Sequence, residues 1–582
     1  MTIGRIRHTL TIGHRLLLMG FLCLFVVSVV SAPRGKRKKK PVDERVYLIH
    51  ADELRYDIYG PNPDAQIVKG NVSFRHKGAR LTCDSAYFYQ TSNSVRAFGH
   101  VRFRQADTLN LVCDRAWYDG QAQMLQARQN VVLKHHKQTL FTDSLNYDRL
   151  YQYAYFFNGG RLVDGKTRLS SDWGEYHTDT RQARFNLDVQ VQTPDHRIST
   201  DTLYYETATS RAHVVGNYTT NKGKGKVGPS IIKSKGSTIT TTDAFFNTRN
   251  DKAELYGRSM VVDKAKTIIA DTLFYDSKNG NNRGHGNVIY VDDENKNKIT
   301  CGEVVYNEKQ GKGYATKKAL IMDYSHADTL YMHADTLRLE TFFINTDSMY
   351  RKVHGYHKVR TYRTDFQAVC DSMVFNSKDS CMTMYQDPIV WNEGRQLLGE
   401  VIKVYTNDST IREAHVLGQA LSIEMLPDST HYNQISSRDM YAYFVKGAIR
   451  RNDAVSNVRS IYFPIDSKDS TYIGLNYTET DTMRMYISPE RKLQRIWMPK
   501  ATGTLYPMTQ IPPDRYKLDN FAWFDYIRPV NKDDIFNWRG KTGGTELKEI
   551  KRHTAPLQQI GRPETTAQPT LSSKPVERKK GN

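Results

Sequence analysis

The sequence predicts an all-β chain, a stack of two-strand repeats of about 29 residues that forms a thin, two-walled structure around an apolar interior. Three observations predict it. One short phrase containing Asp recurs along most of the chain. Tyr (36) outnumbers Phe (22) in a chain dense in Thr, Val, Asp and Asn, which favours strands joined by turns. Between residues 64 and 387 Pro occurs only at 194 and 229, as long hydrogen-bonded ladders require. No amphipathic helix is legible in the body.

The phrase is an apolar residue, a small residue, Asp, then an apolar and an aromatic residue. It reads IHADELRYD, LTCDSAYFY, LVCDRAWYD, LFTDSLNYD, LSSDWGEYH, ISTDTLYYE and IIADTLFYD, and later, more loosely, ITCGEVVYN, MHADTLRLE and AVCDSMVFN. Its Asp position falls at 52, 84, 114, 143, 172, 201, 243, 271, 302, 335 and 371, with Gly302 the exception and Glu400 and Asp439 as degenerate members. Midway between phrases lies a second strand signal, Gly followed by alternating apolar residues: Gly70-Asn71-Val72 with Phe74, Gly99-His100-Val101 with Phe103, Gly216-Asn217-Tyr218 and Gly286-Asn287-Val288. Each unit thus holds two strands and two turns. Thirteen phrases, with one strand per unit in each wall, give a stack about 60 Å long.

Parity locates a corner. Apolar or small residues stand three and one before the Asp, as Leu111 and Cys113 before Asp114, and two and four after it, as Leu273 and Tyr275 after Asp271. A strand alternates with period two, so both sets face inward only across a break. The Asp marks a bulge or corner, where its carboxylate is expected to accept nearby backbone N–H groups. The inward candidates are Leu54, Val72, Phe74, Leu81, Val101, Phe103, Leu111, Val132, Leu145, Ile198, Leu203 and Leu273.

The flanks divide off by composition. Leu16–Val30 is apolar and follows Arg5, Arg7 and Arg15, so residues 1–32 read as a signal peptide or N-terminal anchor. Residues 33–44 are a basic linker, 45–220 the first part of the array, 221–237 a loop insertion and 238–450 the second part. Residues 451–540, with Phe521, Trp523 and Phe524, form a β-rich region that either caps the stack or docks a partner, and 541–582 is a basic tail. Of the formal net charge of +21, most lies in the flanks, where it could touch an anionic membrane surface. No nucleic-acid partner is expected, because the charge is not placed on a folded face with stacking aromatics.

No constellation carries catalysis. A row of like carboxylates at every repeat suits a structural role, whereas an active site needs unlike groups at one place. His135-His136 have no third ligand near them, and Gly223–Gly228 matches a phosphate loop without the strand before it and helix after it. No enzyme activity, cofactor or metal is expected. Cys83, Cys113, Cys301 and Cys370 share the slot before the Asp with Ala51, Thr142, Ser171, Thr200, Ala270 and Ala334. Cys83 and Cys113 either pack there as small residues or form a disulfide in an oxidising compartment.

The G-x-V half followed by the ADxLxYD half resembles the OstA-like, LptA-like family of lipopolysaccharide export, over about residues 45–450. The resemblance implies an elongated β-jellyroll whose open apolar groove carries the acyl chains of lipopolysaccharide or lipid A. It further implies a periplasmic location, at the inner or outer membrane, and partners of the same fold. A secreted structural array or interaction scaffold is the alternative; its interior would be closed by large side chains instead of leaving a groove.

Overall fold

The computed structural model describes residues 44–540, apart from 107, 222–223, 235, 248–251, 277, 326–327, 345, 393, 408–409, 467, 469–470 and 491. The signal or anchor, nearly all of the basic linker and the tail therefore lie outside the described residues. The rest is an all-β jellyroll: one antiparallel sheet of 36 strands and a separate two-stranded hairpin.

Each strand is longer than expected because it crosses both walls. Ala79–Tyr89 and Ser94–Gln105 are single strands, each bent at its middle. In their pairing the register breaks between Thr82 and Ser85, where Asp84 stands opposite Gly99 and His100. We call wall A the half that contains Ser85–Tyr89 and Ser94–Phe98, and wall B the half that contains Ala79–Cys83 and Val101–Gln105. Every repeat therefore adds two rungs to each wall. Roughly 28 rungs at about 4.8 Å make a stack near 130 Å, twice the expected length.

The corner is a bulge, two residues against one. On the two-residue side both residues have positive φ: Gly70 and Asn71 (76° and 44°), Gly99 and His100 (74° and 42°), Gly286 and Asn287 (77° and 43°). The same conformation recurs without glycine at Gln129-Asn130, Leu187-Asp188 and Ser456-Asn457. Left-handed backbone costs an L-residue about 1–2 kcal/mol, which explains the Gly preference at the first position and Asn at the second. The carboxylate does not take backbone N–H groups as its usual partner. It accepts the side chain of the second residue: Asn71 Nδ2 donates to Asp52 Oδ2 at 3.0 Å, Asn130 Nδ2 to Asp114 Oδ2 at 2.6 Å and Asn287 Nδ2 to Asp271 Oδ2 at 2.8 Å. The backbone N–H of Asp52 instead donates to the carbonyls of Lys69 and Gly70 across the bulge.

Two corners sit one residue earlier than the phrase places them. Thr240 pairs with Met260 and Asp243 with Tyr256, so Thr242 occupies the corner. Ser437 pairs with Ala420 and Asp439 with Leu417, so Arg438 does. A further corner, Asp481, lies between Thr480 and Thr482 on the strand Gly474–Ile487.

The slot before the corner takes a small residue, Ala at 51, 270 and 334, and in other repeats one with a short donor. Ser171 Oγ donates to Trp173 O at 2.9 Å, Thr241 Oγ1 to Asp243 O at 3.0 Å, Ser437 Oγ to Asp439 O at 2.8 Å and Cys113 Sγ to Arg115 O at 3.2 Å. A short donor at this place satisfies a carbonyl that the bulge leaves without a ladder partner. The five described cysteines are free and buried, so Cys83 and Cys113 pack without a bond between them. Burial pushes both thiols up to about 12.

The insertion is a hairpin rather than a loop. Strands Asn217–Asn221 and Lys224–Gly228 pair with each other and sit between the two halves, Arg211–Val215 and Ser230–Ser234, of one bent strand. Both halves remain in the sheet, against His196–Glu206. At the far end the array runs on to Thr502–Pro507.

Residues 508–540 then turn back as a strap along the outer face of wall B, and not over the last rung. Three buried glutamines of successive repeats hold it. Gln434 Nε2 donates to Tyr516 O (2.9 Å) and Gln434 Oε1 accepts from Leu518 N (2.9 Å). Gln396 Nε2 donates to Ala522 O (2.7 Å) and Gln396 Oε1 accepts from Phe524 N (2.8 Å). Gln367 Oε1 accepts from Arg528 Nε at 2.7 Å. A second apolar core lies beneath, with Trp391, Leu421, Phe463, Leu518, Phe524 and Ile527.

Candidate functional site

The interior between the walls is one continuous apolar cluster from Val46 to Met483. Ten of the twelve expected inward residues are buried in it: Val72, Phe74, Leu81, Val101, Phe103, Leu111, Leu145, Ile198, Leu203 and Leu273. Of the other two, Val132 is a correction, whereas Leu54 keeps its inward place without being buried. Val132 faces outward, because the pair Gln129-Asn130 shifts the alternation so that Val131 and Leu133 point in. Leu54 pairs with Val68 on the inner face but is 55% exposed, because its strand is the first rung and has a neighbour on one side only.

The first section is sealed along its mouth. From the phrase at Asp114 to the one at Asp201, each ends in a Tyr that reaches across to the lip of wall B three strands earlier. His76 Nδ1 lies 2.6 Å from Tyr118 OH and His135 Nδ1 lies 2.8 Å from Tyr176 OH. Tyr147 OH donates to Gln105 Oε1 (3.4 Å) and Tyr205 OH to Asp164 Oδ2 (3.1 Å). Arg149 locks the same seam, donating to Tyr118 OH (2.6 Å), Gln105 Oε1 (3.0 Å) and Lys77 O (3.1 Å). Val46 closes the first opening, its N–H donating to Asn93 Oδ1 at 2.7 Å. The cavities found here are about 20 and 10 Å³, room for a water and no more. Inside, Phe74, Leu81, Phe103 and Leu111 are at most 3% exposed.

Beyond residue 232 the seam ends. Phe246 stands in the aromatic position without a hydroxyl to continue the series, and Tyr275 in the next repeat is 44% exposed. The inner row of wall B runs without a break from Ile232 through Ile239, Val261, Ile268, Tyr290, Ile299 and Ile321, by direct pairing. Ile232 is buried, yet every later member of that list is half-buried. On wall A Tyr306, Leu339 and Val353 are half-buried too. Over about 239–353 the mouth-side rows of both walls are thus partly open to solvent, a shallow apolar slot above a floor of Leu255, Leu273, Val288 and Leu337 that stays buried. Sequence reasoning missed this change, although one signal was present: Phe246 breaks the run of Tyr118, Tyr147, Tyr176 and Tyr205.

Burial sets the electrostatics of the seam. It lowers the His135 imidazole to about 4, helped by His136 and Arg181. It raises the hydroxyls of Tyr118 and Tyr176 above their ordinary value. All three groups are therefore neutral near pH 7. Among the described residues no cluster of His, Cys, Asp or Glu is arranged to hold a metal ion, and no helix is long and apolar enough to cross a membrane.

Residues 43–201 match the family of OstA-like proteins. That stretch is OstA-like. The matched segment ends inside the sealed section, and the OstA-like corner, the bulge and the inner row carry on in the same sheet beyond it. No curated protein matches the chain.

Proposed function

We propose that this OstA-like chain carries lipopolysaccharide, by its lipid A acyl chains, across the periplasm, and that it performs no chemical step on its cargo. The observation that carries the reading is the apolar slot over about 239–353, continuous with a core that runs the length of the array. Each CH₂ that leaves water for such a slot is worth about 0.8 kcal/mol, so one acyl chain suffices for firm binding. The sugars stay at the mouth, in water. Repetition supplies near-equivalent steps along the slot, which movement of a cargo requires. The OstA-like family supports lipopolysaccharide export as the pathway, and other export proteins of the same fold are the partners. The free edges at Tyr47–His50 and Glu53–Tyr56 offer such a partner unpaired backbone groups.

The sealed section favours one competing reading, a structural scaffold with no lipid, since its interior is filled by the chain's own side chains. Native mass spectrometry of the full chain taken from membranes separates the two. Lipopolysaccharide transport predicts a co-purified adduct with the mass of a lipid A-bearing glycolipid. Protein of bare mass under conditions that keep other lipid complexes intact leaves the scaffold reading.

A further inference from the structure

The sheet places a dense basic grid on one face. The two outward rows of wall B, read by direct pairing from the strand Gln66–His76 to Ser230–Ser234, carry Arg75, Arg80, Arg102, Arg104, Lys134 and Arg161. They continue through Arg168, Arg197 and Lys233. All nine side chains are exposed, and none forms an ion pair among the described residues. No Asp or Glu occupies either row over this span. Wall A differs: its outward rows mix signs, with Glu175 opposite Arg184. Wall B thus presents nine cations and no carboxylate over about 50 Å, whereas wall A presents Arg96, Arg115, Arg128 and Arg184 with Glu175 among them, so basic charge is not confined to the flanks.

We propose that this face docks the protein onto an anionic lipid membrane. A sheet face of this length meets many headgroups at once, and each Lys or Arg near an anionic bilayer adds to the attraction. Between the cations stand half-buried Val112, Val132 and Phe141, apolar side chains suited to the headgroup boundary. A single-stranded nucleic acid would need exposed rings for its bases, but the Phe141 ring is covered by the Arg161 guanidinium at 4.9 Å. Further along, the same face turns apolar at Met260, Ile269 and Ile289, and from Gln367 onward the strap covers it. Docking is thus restricted to the sealed section, with the slot held beside the membrane. This inference does not depend on the cargo.

The test is flotation of the full chain with vesicles of phosphatidylglycerol and phosphatidylcholine, against phosphatidylcholine alone. A variant with Arg75, Arg80, Arg102 and Arg104 changed to Gln is compared with one carrying Arg96, Arg115, Arg128 and Arg184 changed to Gln on wall A; thermal melts check that both fold. Both keep the basic flanks. The proposal predicts anionic-vesicle binding by the unmodified chain and the wall A variant, about 1000-fold weaker binding by the wall B variant, and release by about 0.5 M salt. Equal loss in both variants, undiminished binding by the wall B variant, or equal binding to pure phosphatidylcholine would overturn it. So would binding to inorganic polyphosphate without binding to the anionic vesicles, which would give the face to a soluble polyanion. Native mass spectrometry reads the cargo separately, so either idea can fail alone.

Discussion

Gly302 and Lys317 exchange the two places that Asp271 and Gly286 fill one repeat earlier. A Cβ on Gly286 would lie 2.6 Å from Asp271 Oδ2, and a Cβ on Gly302 would lie 2.7 Å from Lys317 Cβ. At these two corners one strand carries the large side chain and the facing position carries none, with the strands exchanged. Gly286→Ala should lower stability by about 2–4 kcal/mol, through left-handed strain and the clash together. The double variant Asp271→Gly, Gly286→Lys, which copies the later corner, should recover most of that loss in a thermal or denaturant melt. A double variant no more stable than Gly286→Ala would refute the exchange.

The seam should weaken in acid. His135 is neutral in the folded chain, with its imidazole lowered to about 4 by burial, against about 6.5 when unfolded. The unfolded chain therefore binds the extra proton first, and stability is lost as pH falls from about 6.5 towards 4. Between pH 8 and pH 5 this amounts to about 2 kcal/mol. Melts of the unmodified chain and of His135→Gln at both pH values check it. The variant should show a pH dependence smaller by that amount, and an unchanged dependence would mean that another group titrates.

Gln396 is fully buried and makes two bonds to the strap while accepting from Trp391 Nε1 at 3.2 Å. Gln396→Leu keeps the size and takes a partner from the Ala522 carbonyl, the Phe524 N–H and the Trp391 Nε1–H, at about 3–6 kcal/mol for three buried groups. Limited proteolysis should then cut within 508–540 faster than in the unmodified chain, while the array stays protected. Cleavage at the same rate would show that apolar packing alone retains the strap.

Much of the fold was legible because one corner repeats. The alternation of Leu81, Cys83, Ala86 and Phe88 about Asp84 already encodes a corner between two inward-facing sets. What the phrase did not encode was that the bend lies within a strand, which doubled the length of the stack. Off-by-one corners at Thr242 and Arg438 arose where an Asp sits just past the bulge, since only pairing distinguishes the two positions. Val132 was misplaced for a related reason: a left-handed pair without glycine leaves no mark in the sequence. The strap was hidden because its clamp is three glutamines, a residue type that usually faces solvent. The slot was hidden most deeply. Inward residues look alike in the sequence whether the lips above them meet or part, and only the Tyr-to-Phe change at 246 hinted at it.

Site-specific photo-crosslinking tests the cargo claim most directly. A photoreactive residue replacing Ile268 or Tyr275, in the open section, should capture lipopolysaccharide in cells. One replacing exposed Arg96 or Arg115, on the outward face of wall A, should not, because neither looks into the slot or lies on the basic face. Lipopolysaccharide adducts at the first pair alone are the predicted result; equal labelling at all four positions, or none at Ile268 and Tyr275, would contradict it.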